Sequence, residues 1–236
     1  MKITILMAYY ERPHMMQFAL QSLRDQDHTD WDLVFVDDSS PTPGEPIVKN
    51  ILKDHLDKVR LYYTNDPDKR HGASLFGGCW NDALLSADSD IAIMLCDDDA
   101  LFPNYLLSLS KWYENNATAQ YSYGHVVPFN PFDTSSLNSI PFTTCWFLNH
   151  TEPIDPFCQV DASQVSWRTQ LFKESCIRFP CPQTVALDAA LYQQLFQACG
   201  PCVFNGMVAQ YKAVHDDQLG ARAATYTTRD IDHVPE

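Results

Sequence analysis

Three successive aspartates, Asp97, Asp98 and Asp99, follow Cys96 at the end of the apolar run 91–95. The run is short, carries β-branched residues and is bounded by polar residues, which is typical of a buried strand. The acids are therefore expected at the carboxyl end of a strand, where open α/β sheets bind their ligands. Carboxylate oxygens at that edge suit Mg²⁺ or Mn²⁺ carrying a phosphorylated substrate. The other interpretation of the same residues is a solvated acidic loop.

Two more apolar runs end in polar residues that would meet these aspartates. One leads into Tyr9 and Tyr10, and the other leads into Asp37 and Asp38. Parallel strands bring such ends to one sheet edge, where a tyrosine pair could pack on a base and Asp38 could accept from a ring N–H. The chain has neither a Walker A sequence nor a Gly-x-Gly-x-x-Gly fingerprint, so metal coordination would replace the usual backbone cradle for phosphates.

The elements that must position these residues alternate between strand and helix patterns over the first hundred residues. Strands are predicted at 3–7, 33–36, 59–63 and 91–95, and helices at 14–26, 46–56 and 79–87. This alternation predicts βαβ units and a mostly parallel, Rossmann-like central sheet flanked by helices. Farther on, the patterns predict a helix after Pro103, strands at 121–129, 166–172 and 203–214, and a helix at 184–198; the segment 130–156 is expected to be irregular.

Composition narrows the function classes. The 236 residues are 45% hydrophobic, which excludes a disordered protein, and their net charge of −14 argues against nucleic acid or an anionic membrane as the main partner. No segment is long and apolar enough to predict a transmembrane span, and the apolar stretch at the N-terminus is too short for a signal peptide. The sequence thus predicts a soluble cytoplasmic protein whose eight cysteines are free thiols.

On these residues the chain resembles a family 2 inverting glycosyltransferase with the GT-A (nucleotide-diphospho-sugar transferase) fold. Tyr-Tyr-Glu-Arg-Pro ahead of a helix, the segment 31–40, and the aspartates at 97–99 are similar to that family's opening and to its Asp-x-Asp signature. The resemblance implies that Asp38 contacts the base and that Arg70 lies near the phosphates. It implies nucleotide-sugar binding by a set of residues that also includes Ala8, Tyr9, Tyr10, Arg12, Asp97 and Asp98.

The resemblance also implies a metal site and a general base. Asp97, Asp99 and His215 are the expected ligands of Mn²⁺ or Mg²⁺, with Asp99 the most direct. Spacing to Pro103 equally permits Asp98 and Asp99 as the functional pair, with Cys96 where many relatives carry another acid. Asp188 matches the aspartate that deprotonates the acceptor hydroxyl.

Plainer roles fit several of these positions. Asp38 could cap a turn, Asp188 could stabilise a helix N-terminus, and His215 could be a surface histidine. Trp167 and Arg168 are candidates for acceptor binding, although an aromatic residue on a strand is more often part of the core.

The cysteines allow two further interpretations. The segment from Cys199 to Cys202 has the Cys-Gly-Pro-Cys sequence of a redox motif, but it follows a helix, so Gly200 is predicted to end that helix and Pro201 to turn the chain. A zinc site formed by four cysteines is the other possibility: Cys176, Cys181, Cys199 and Cys202.

The sequence therefore predicts a single domain at 1–219, with a nucleotide-sugar-binding half at 1–100, an acceptor-binding half at 101–219 and a tail at 220–236. The expected function is metal-dependent transfer of a sugar from a nucleotide diphosphate donor, most simply a UDP-sugar, to a hydroxyl of a glycan or other acceptor. The alternatives are a nucleotidyltransferase acting on sugar phosphates and a non-catalytic nucleotide-sugar binding module.

Overall fold

The computed structural model describes residues 1–65, 75–129, 150–157, 159–181 and 187–213. Within them, eight strands form one sheet with helices packed against it. The strands are β1 (Ile3–Tyr9), β2 (Trp31–Asp37), β3 (Val59–Tyr63), β4 (Ile91–Met94), β5 (Ala100–Leu101), β6 (Tyr121–Phe129), β7 (Val165–Arg168) and β8 (Val203–Ala213). The helices are α1 (Pro13–Arg24), α2 (Glu45–Ile51), α3 (Phe76–Leu85), α4 (Tyr105–Asn115), α5 (Gln170–Glu174) and α6 (Leu187–Cys199). In this part of the chain, no helix combines the length and apolar character that a membrane crossing requires.

The first half of the sheet is parallel, as the alternating pattern predicts. The strands lie in the order β3-β2-β1-β4, and every neighbouring pair among them is parallel. Their side chains alternate between two hydrophobic clusters, with Ile5 and Phe35 in one and Leu6 and Val34 in the other. Helices α1 and α4 cover the first cluster, and α3 and α6 cover the second. The sheet is therefore the middle layer of three.

The second half of the sheet adds strands in both directions. Strand β7 runs antiparallel to β4 and to β6, while β8 runs parallel to β6 and antiparallel to the short β5. The sheet is thus mixed, and the predicted α/β class with a Rossmann-like parallel half is confirmed. Because β8 lies beside β5, its carboxyl end reaches the loop that contains Asp99.

Two predicted elements differ from the structure. The strand predicted at 166–172 ends at Arg168, and the chain turns into α5, where Phe172 enters the core from a helix. The helix predicted at 46–56 ends at Ile51 and continues as a 3₁₀ segment, Lys53–Lys58, in which His55 has non-helical backbone angles. In both places the spacing of apolar residues by itself does not distinguish a short helical segment from a longer element.

Replacing Trp167 by alanine should destabilise the fold strongly, because its side chain is 0% exposed and packs between Phe172 and Phe179. We expect the free energy of unfolding in urea to fall by about 3–5 kcal/mol, the usual cost of an aromatic-to-alanine change in a core. The control is Phe157→Ala, because the side chain of Phe157 is 43% exposed. This variant should change the free energy of unfolding by less than about 0.5 kcal/mol. Equal effects of the two variants would contradict this placement of Trp167.

Candidate active site

The loops that follow β1, β2 and β4 meet at one edge of the sheet. Strand β1 lies between the other two, with Tyr9 opposite Asp37 and Leu6 opposite Met94. Two of these loops turn through non-glycine residues in the left-handed region, Glu11 (φ 54°) and Ser39 (φ 59°). Such angles are uncommon outside glycine and are concentrated at functional loops. Sequence reasoning predicts this meeting of loops from the direction of parallel strands.

The acidic centre, which we define as Asp97, Asp98 and Asp99, begins with two carboxylates bridged by an arginine. Asp97 accepts from the backbone N–H of Tyr10 and from the guanidinium of Arg12, both at 3.1 Å. The same Arg12 nitrogen lies 3.0 Å from Asp98. Burial by itself would lower the pKa of Arg12, but the charges of Asp97 and Asp98 outweigh that effect and raise it. Arg12 therefore stays cationic and neutralises part of the centre.

Asp99 is the most enclosed acid of the centre, at 0% exposure. One carboxylate oxygen accepts from the backbone N–H of Ala213 at 2.9 Å, and the other lies 3.0 Å from the ammonium of Lys212. That ammonium also lies 3.1 Å from Asp161. Burial is the main cause that raises the pKa of Asp99, with Lys212 opposing it. Sequence reasoning did not identify Lys212 or Asp161, because their pairing joins positions far apart in the chain.

Cys96, Asp98 and Asp99 could hold a metal ion, since one ligating atom from each lies within 4.8 Å of the others. Burial raises the pKa of the Cys96 thiol well above its usual value, so this group stays protonated and contributes little to a hard cation. The two carboxylates are the donors that Mg²⁺ and Mn²⁺ prefer, so the residues fit such an ion. Asp97 is not part of this group. The group that could share a cation consists of Cys96, Asp98 and Asp99 alone among the described residues.

Asp38 lies at the same edge, with an exposure of 4%. Its carboxylate accepts from the hydroxyl of Thr64 at 2.9 Å, and its backbone N–H donates to Tyr9. The preceding Asp37 instead holds the loop, accepting from the backbone N–H groups of Ser40 and Gly44 at 2.9 and 2.8 Å. Asp37 therefore fixes the loop, whereas the side chain of Asp38 lies at the edge beside the acidic centre.

The residues of the β1 loop differ from one another in accessibility. Tyr9 was expected to pack on a base, but its ring is fully buried against Phe35 and its hydroxyl donates to the carbonyl of Thr42. This corrects the expectation, because strand alternation turns Tyr9 into the core. Tyr10 is 38% exposed at the site edge, and Ala8 is partly buried there.

The acceptor-binding expectation for Trp167 and Arg168 is also corrected. Trp167 lies wholly within the core, so no acceptor can touch it. Arg168 pairs with Ile91, the first residue of β4, at the end opposite the acidic centre. Its guanidinium donates to the carbonyls of Ala119 and Tyr113 at 2.8 and 3.2 Å. The antiparallel direction of β7, which the sequence does not reveal, carries both residues away from the site.

Asp188 stands in the first turn of α6, partly buried. Burial and the charge of Asp161 both raise the pKa of its carboxyl group. The carboxylate of Asp161 pairs with Lys212, which also pairs with Asp99. Asp188 therefore lies within electrostatic range of the Asp161–Lys212 ion pair. A carboxylate with a raised pKa is a better proton acceptor than an ordinary aspartate.

The remaining predicted residues fall into two groups. Arg70 and His215 lie outside the described residues. Of the four cysteines considered for zinc, Cys202 is buried, Cys199 is half-buried, and Cys176 and Cys181 are exposed. Among the described residues, the one group that could hold a metal contains none of these four.

Gly200 has a φ of 76° and its N–H donates to the carbonyl of Phe196, as expected for the residue that ends α6. Burial raises the pKa of both Cys199 and Cys202. Neither cysteine therefore has the acidified thiol that redox catalysis needs.

The chain matches the family described as Glycosyl transferase family 2 over residues 4–165. It is 29% identical over 134 residues to Protein CgeD of Bacillus subtilis (strain 168), a stretch that covers 55% of this chain and 30% of CgeD. It is 26% identical over 125 residues to the GalNAc(5)-diNAcBac-PP-undecaprenol beta-1,3-glucosyltransferase of Campylobacter jejuni, covering 53% of this chain and 37% of the relative. The matches thus span less than half of either relative.

Two solved structures share the fold. S. aureus TarS 1–349 in complex with UDP-GlcNAc superposes with a TM-score of 0.71 at 16% identity, covering 92% of this chain and 60% of TarS 1–349. The mannosyltransferase PcManGT from Pyrobaculum calidifontis, in complex with GDP-Man and Mn²⁺, gives a TM-score of 0.62 at 17% identity, covering 94% and 59%. These likenesses confirm the predicted GT-A fold. Since the family match takes in both the parallel half-sheet and the acidic centre at its edge, the chain belongs to glycosyltransferase family 2.

Proposed function

We propose that this chain transfers a sugar from a nucleotide diphosphate donor, with UDP the favoured nucleotide, to a hydroxyl group of an acceptor with inversion. The observation that carries the proposal is the buried pair Asp98 and Asp99, placed close enough to share one cation at the ligand-binding edge of the sheet. TarS, a neighbour in fold, has been solved with UDP and UDP-GlcNAc, and PcManGT with GDP-Man and Mn²⁺. Those complexes support a nucleotide-sugar donor and a divalent cation for the present chain.

The donor half of the site supplies charge where the leaving diphosphate develops it. Asp98 and Asp99 would hold Mn²⁺ or Mg²⁺, which acts as a Lewis acid on the diphosphate. Arg12 lies against the same carboxylates and adds a fixed cation at this edge. Asp38 and Tyr10 are the proposed contacts to the nucleoside, because they line the adjoining loops. Arg70 is the proposed contact to the phosphates, and His215 is a proposed ligand of the metal.

The acceptor half needs one general base, and Asp188 is the residue we assign to it. Inversion in a single displacement requires the acceptor hydroxyl to lose its proton to a carboxylate on the face opposite the leaving group. Asp188 comes from α6, in the second half of the chain, whereas the acidic centre follows β4. Burial and the charge of Asp161 raise the pKa of Asp188, which improves its strength as a base.

Replacing Asp98 by asparagine should weaken binding of UDP in the presence of Mn²⁺. We expect a loss of at least tenfold, since even substitutions beside metal ligands cost about 10- to 100-fold in metal affinity. Titration calorimetry with Mn²⁺ and with excess chelator is the measurement, and the difference should disappear without the ion. Asp97→Asn is the matched control and should lose less, because Asp97 lies outside the group of side chains that could share one cation. A larger loss for Asp97→Asn would assign the metal to Asp97.

Replacing Asp188 by asparagine should remove the base and leave donor binding intact. We expect turnover of the donor to fall by about 10²- to 10⁴-fold, the usual contribution of general-base catalysis. Release of UDP from UDP-GlcNAc with Mn²⁺ measures turnover, and a separate titration with UDP measures donor binding. Asp57→Asn, at an exposed acid, is the control. Near-normal turnover in Asp188→Asn would place the base elsewhere, and binding of UDP without turnover in the unaltered chain would favour a binding module.

The pH dependence of turnover provides a further test of the same residue. Asp188 acts in its ionised form, so turnover should rise as the pH increases through its pKa. Because burial and the charge of Asp161 raise that pKa, the acidic limb should lie above the ordinary aspartate value of about 4. Turnover followed from about pH 3 to about pH 8 is the measurement. An acidic limb at or below the ordinary value would contradict Asp188 as the base.

A further inference from the structure

Lys212 forms a bridge between two acids that belong to different parts of the chain. Its ammonium lies 3.0 Å from Asp99 and 3.1 Å from Asp161, and the residue is 8% exposed. The next residue, Ala213, donates its backbone N–H to the other oxygen of Asp99. The end of β8 is therefore fixed to the acidic centre by a side chain and by the backbone together. We refer to the arrangement Asp99–Lys212–Asp161 as the Lys212 bridge.

The far end of the bridge is held just as closely. The Asp161 carboxylate accepts from the backbone N–H and the hydroxyl of Ser163 at 3.0 and 2.7 Å. The carbonyl of Asp161 accepts from the hydroxyl of Tyr192 at 3.2 Å. Tyr192 is fully buried on α6, four residues after Asp188, and side chains at that spacing share one helix face. A continuous set of contacts thus runs from the acidic centre to the helix that carries Asp188.

The charge of Lys212 is retained in spite of its burial. Burial lowers the pKa of a lysine, but here the charges of Asp161 and Asp99 outweigh that effect and hold it well above the ordinary value. Taking three charged groups out of water is costly, and an apolar core of the same volume is often as stable. Stability alone therefore does not explain why this ion set is present between the two halves of the site.

We propose that Lys212 is a positioning residue, which sets the acidic centre and the helix of Asp188 at the separation that transfer requires. The proposal rests on the proposed function, because it assigns the diphosphate to the acidic centre and the proton acceptor to Asp188. Lys212 touches neither substrate. It acts through Asp99 on one side and through Asp161 and Tyr192 on the other.

Lys212→Met, which keeps the length and removes the charge, tests the proposal. We expect the turnover of UDP-GlcNAc with Mn²⁺ to fall by about 100-fold, the cost of a small misplacement of reacting groups. Binding of UDP with Mn²⁺ should stay within about threefold, because Asp98 is untouched and Asp99 keeps its hydrogen bond from the backbone N–H of Ala213. Lys2→Met is the control, because Lys2 lies at the start of β1, at the end of the strand away from the acidic centre. It should leave both turnover and UDP binding unchanged. Unchanged turnover in Lys212→Met overturns the proposal, as does an equal loss in binding and turnover, which would make Lys212 part of the donor site.

Asp161→Asn breaks the same bridge from its other end. Its amide oxygen can still accept from Ser163, so the local cap survives while the charge is lost. We expect the same selective loss of turnover, and the double variant with Lys212→Met should be no slower than Lys212→Met alone. If the losses of turnover in the two single variants multiply in the double variant, Lys212 and Asp161 act independently, and the proposed bridge is refuted. If Lys212→Met does not fold, Asp161→Asn decides alone, and normal turnover in it would refute the proposal.

Failure of the proposed function has a different signature. An unaltered chain that neither binds UDP with Mn²⁺ nor releases it from UDP-GlcNAc would refute the donor assignment. The thermal unfolding midpoints then test the bridge itself. Adding Asp161→Asn to Lys212→Met should raise the midpoint, because it removes a buried carboxylate that has lost its cation. A midpoint that stays the same or falls would overturn the bridge without reference to activity.

Discussion

The structure of this site depends on the compensation of buried negative charge. In the described part of the chain, the three acids of the acidic centre and Asp161 share two cations, those of Arg12 and Lys212. Buried carboxylates are tolerated only when cations or hydrogen-bond donors face them. Among the described residues two cations face these four acids, and a divalent cation held by Asp98 and Asp99 would add positive charge at this edge.

This compensation links elements that are distant in the chain. Arg12 comes from the loop between β1 and α1, and Lys212 from the last described strand, yet they contact neighbouring members of one triplet. The parallel half of the sheet supplies the loops, and the mixed half supplies β8 and α6. In the proposed function the donor residues belong to the first half and the proton acceptor to the second, so we expect the contacts between the halves to determine whether the two act together.

The backbone pattern was largely predictable, because strands and helices impose periods of two and about 3.6 on apolar residues. The parallel strands, the acidic edge and the helix stop at Gly200 all follow from local signals. Tyr9 and Trp167 show where this reasoning fails. Both aromatic residues were assigned to the site, and the structure places both rings in the core.

The sequence by itself determined the fold class, the family and the position of the acidic centre, because these depend on short stretches of neighbouring residues. Only the tertiary structure decided the separate partners of Asp97 and Asp99, the displacement of Arg168 from the site and the bridge through Lys212. The partners of Asp99 and the position of Arg168 depend on strand order and direction in the second half of the sheet. Strand order joins residues more than a hundred positions apart, and no local pattern records that pairing.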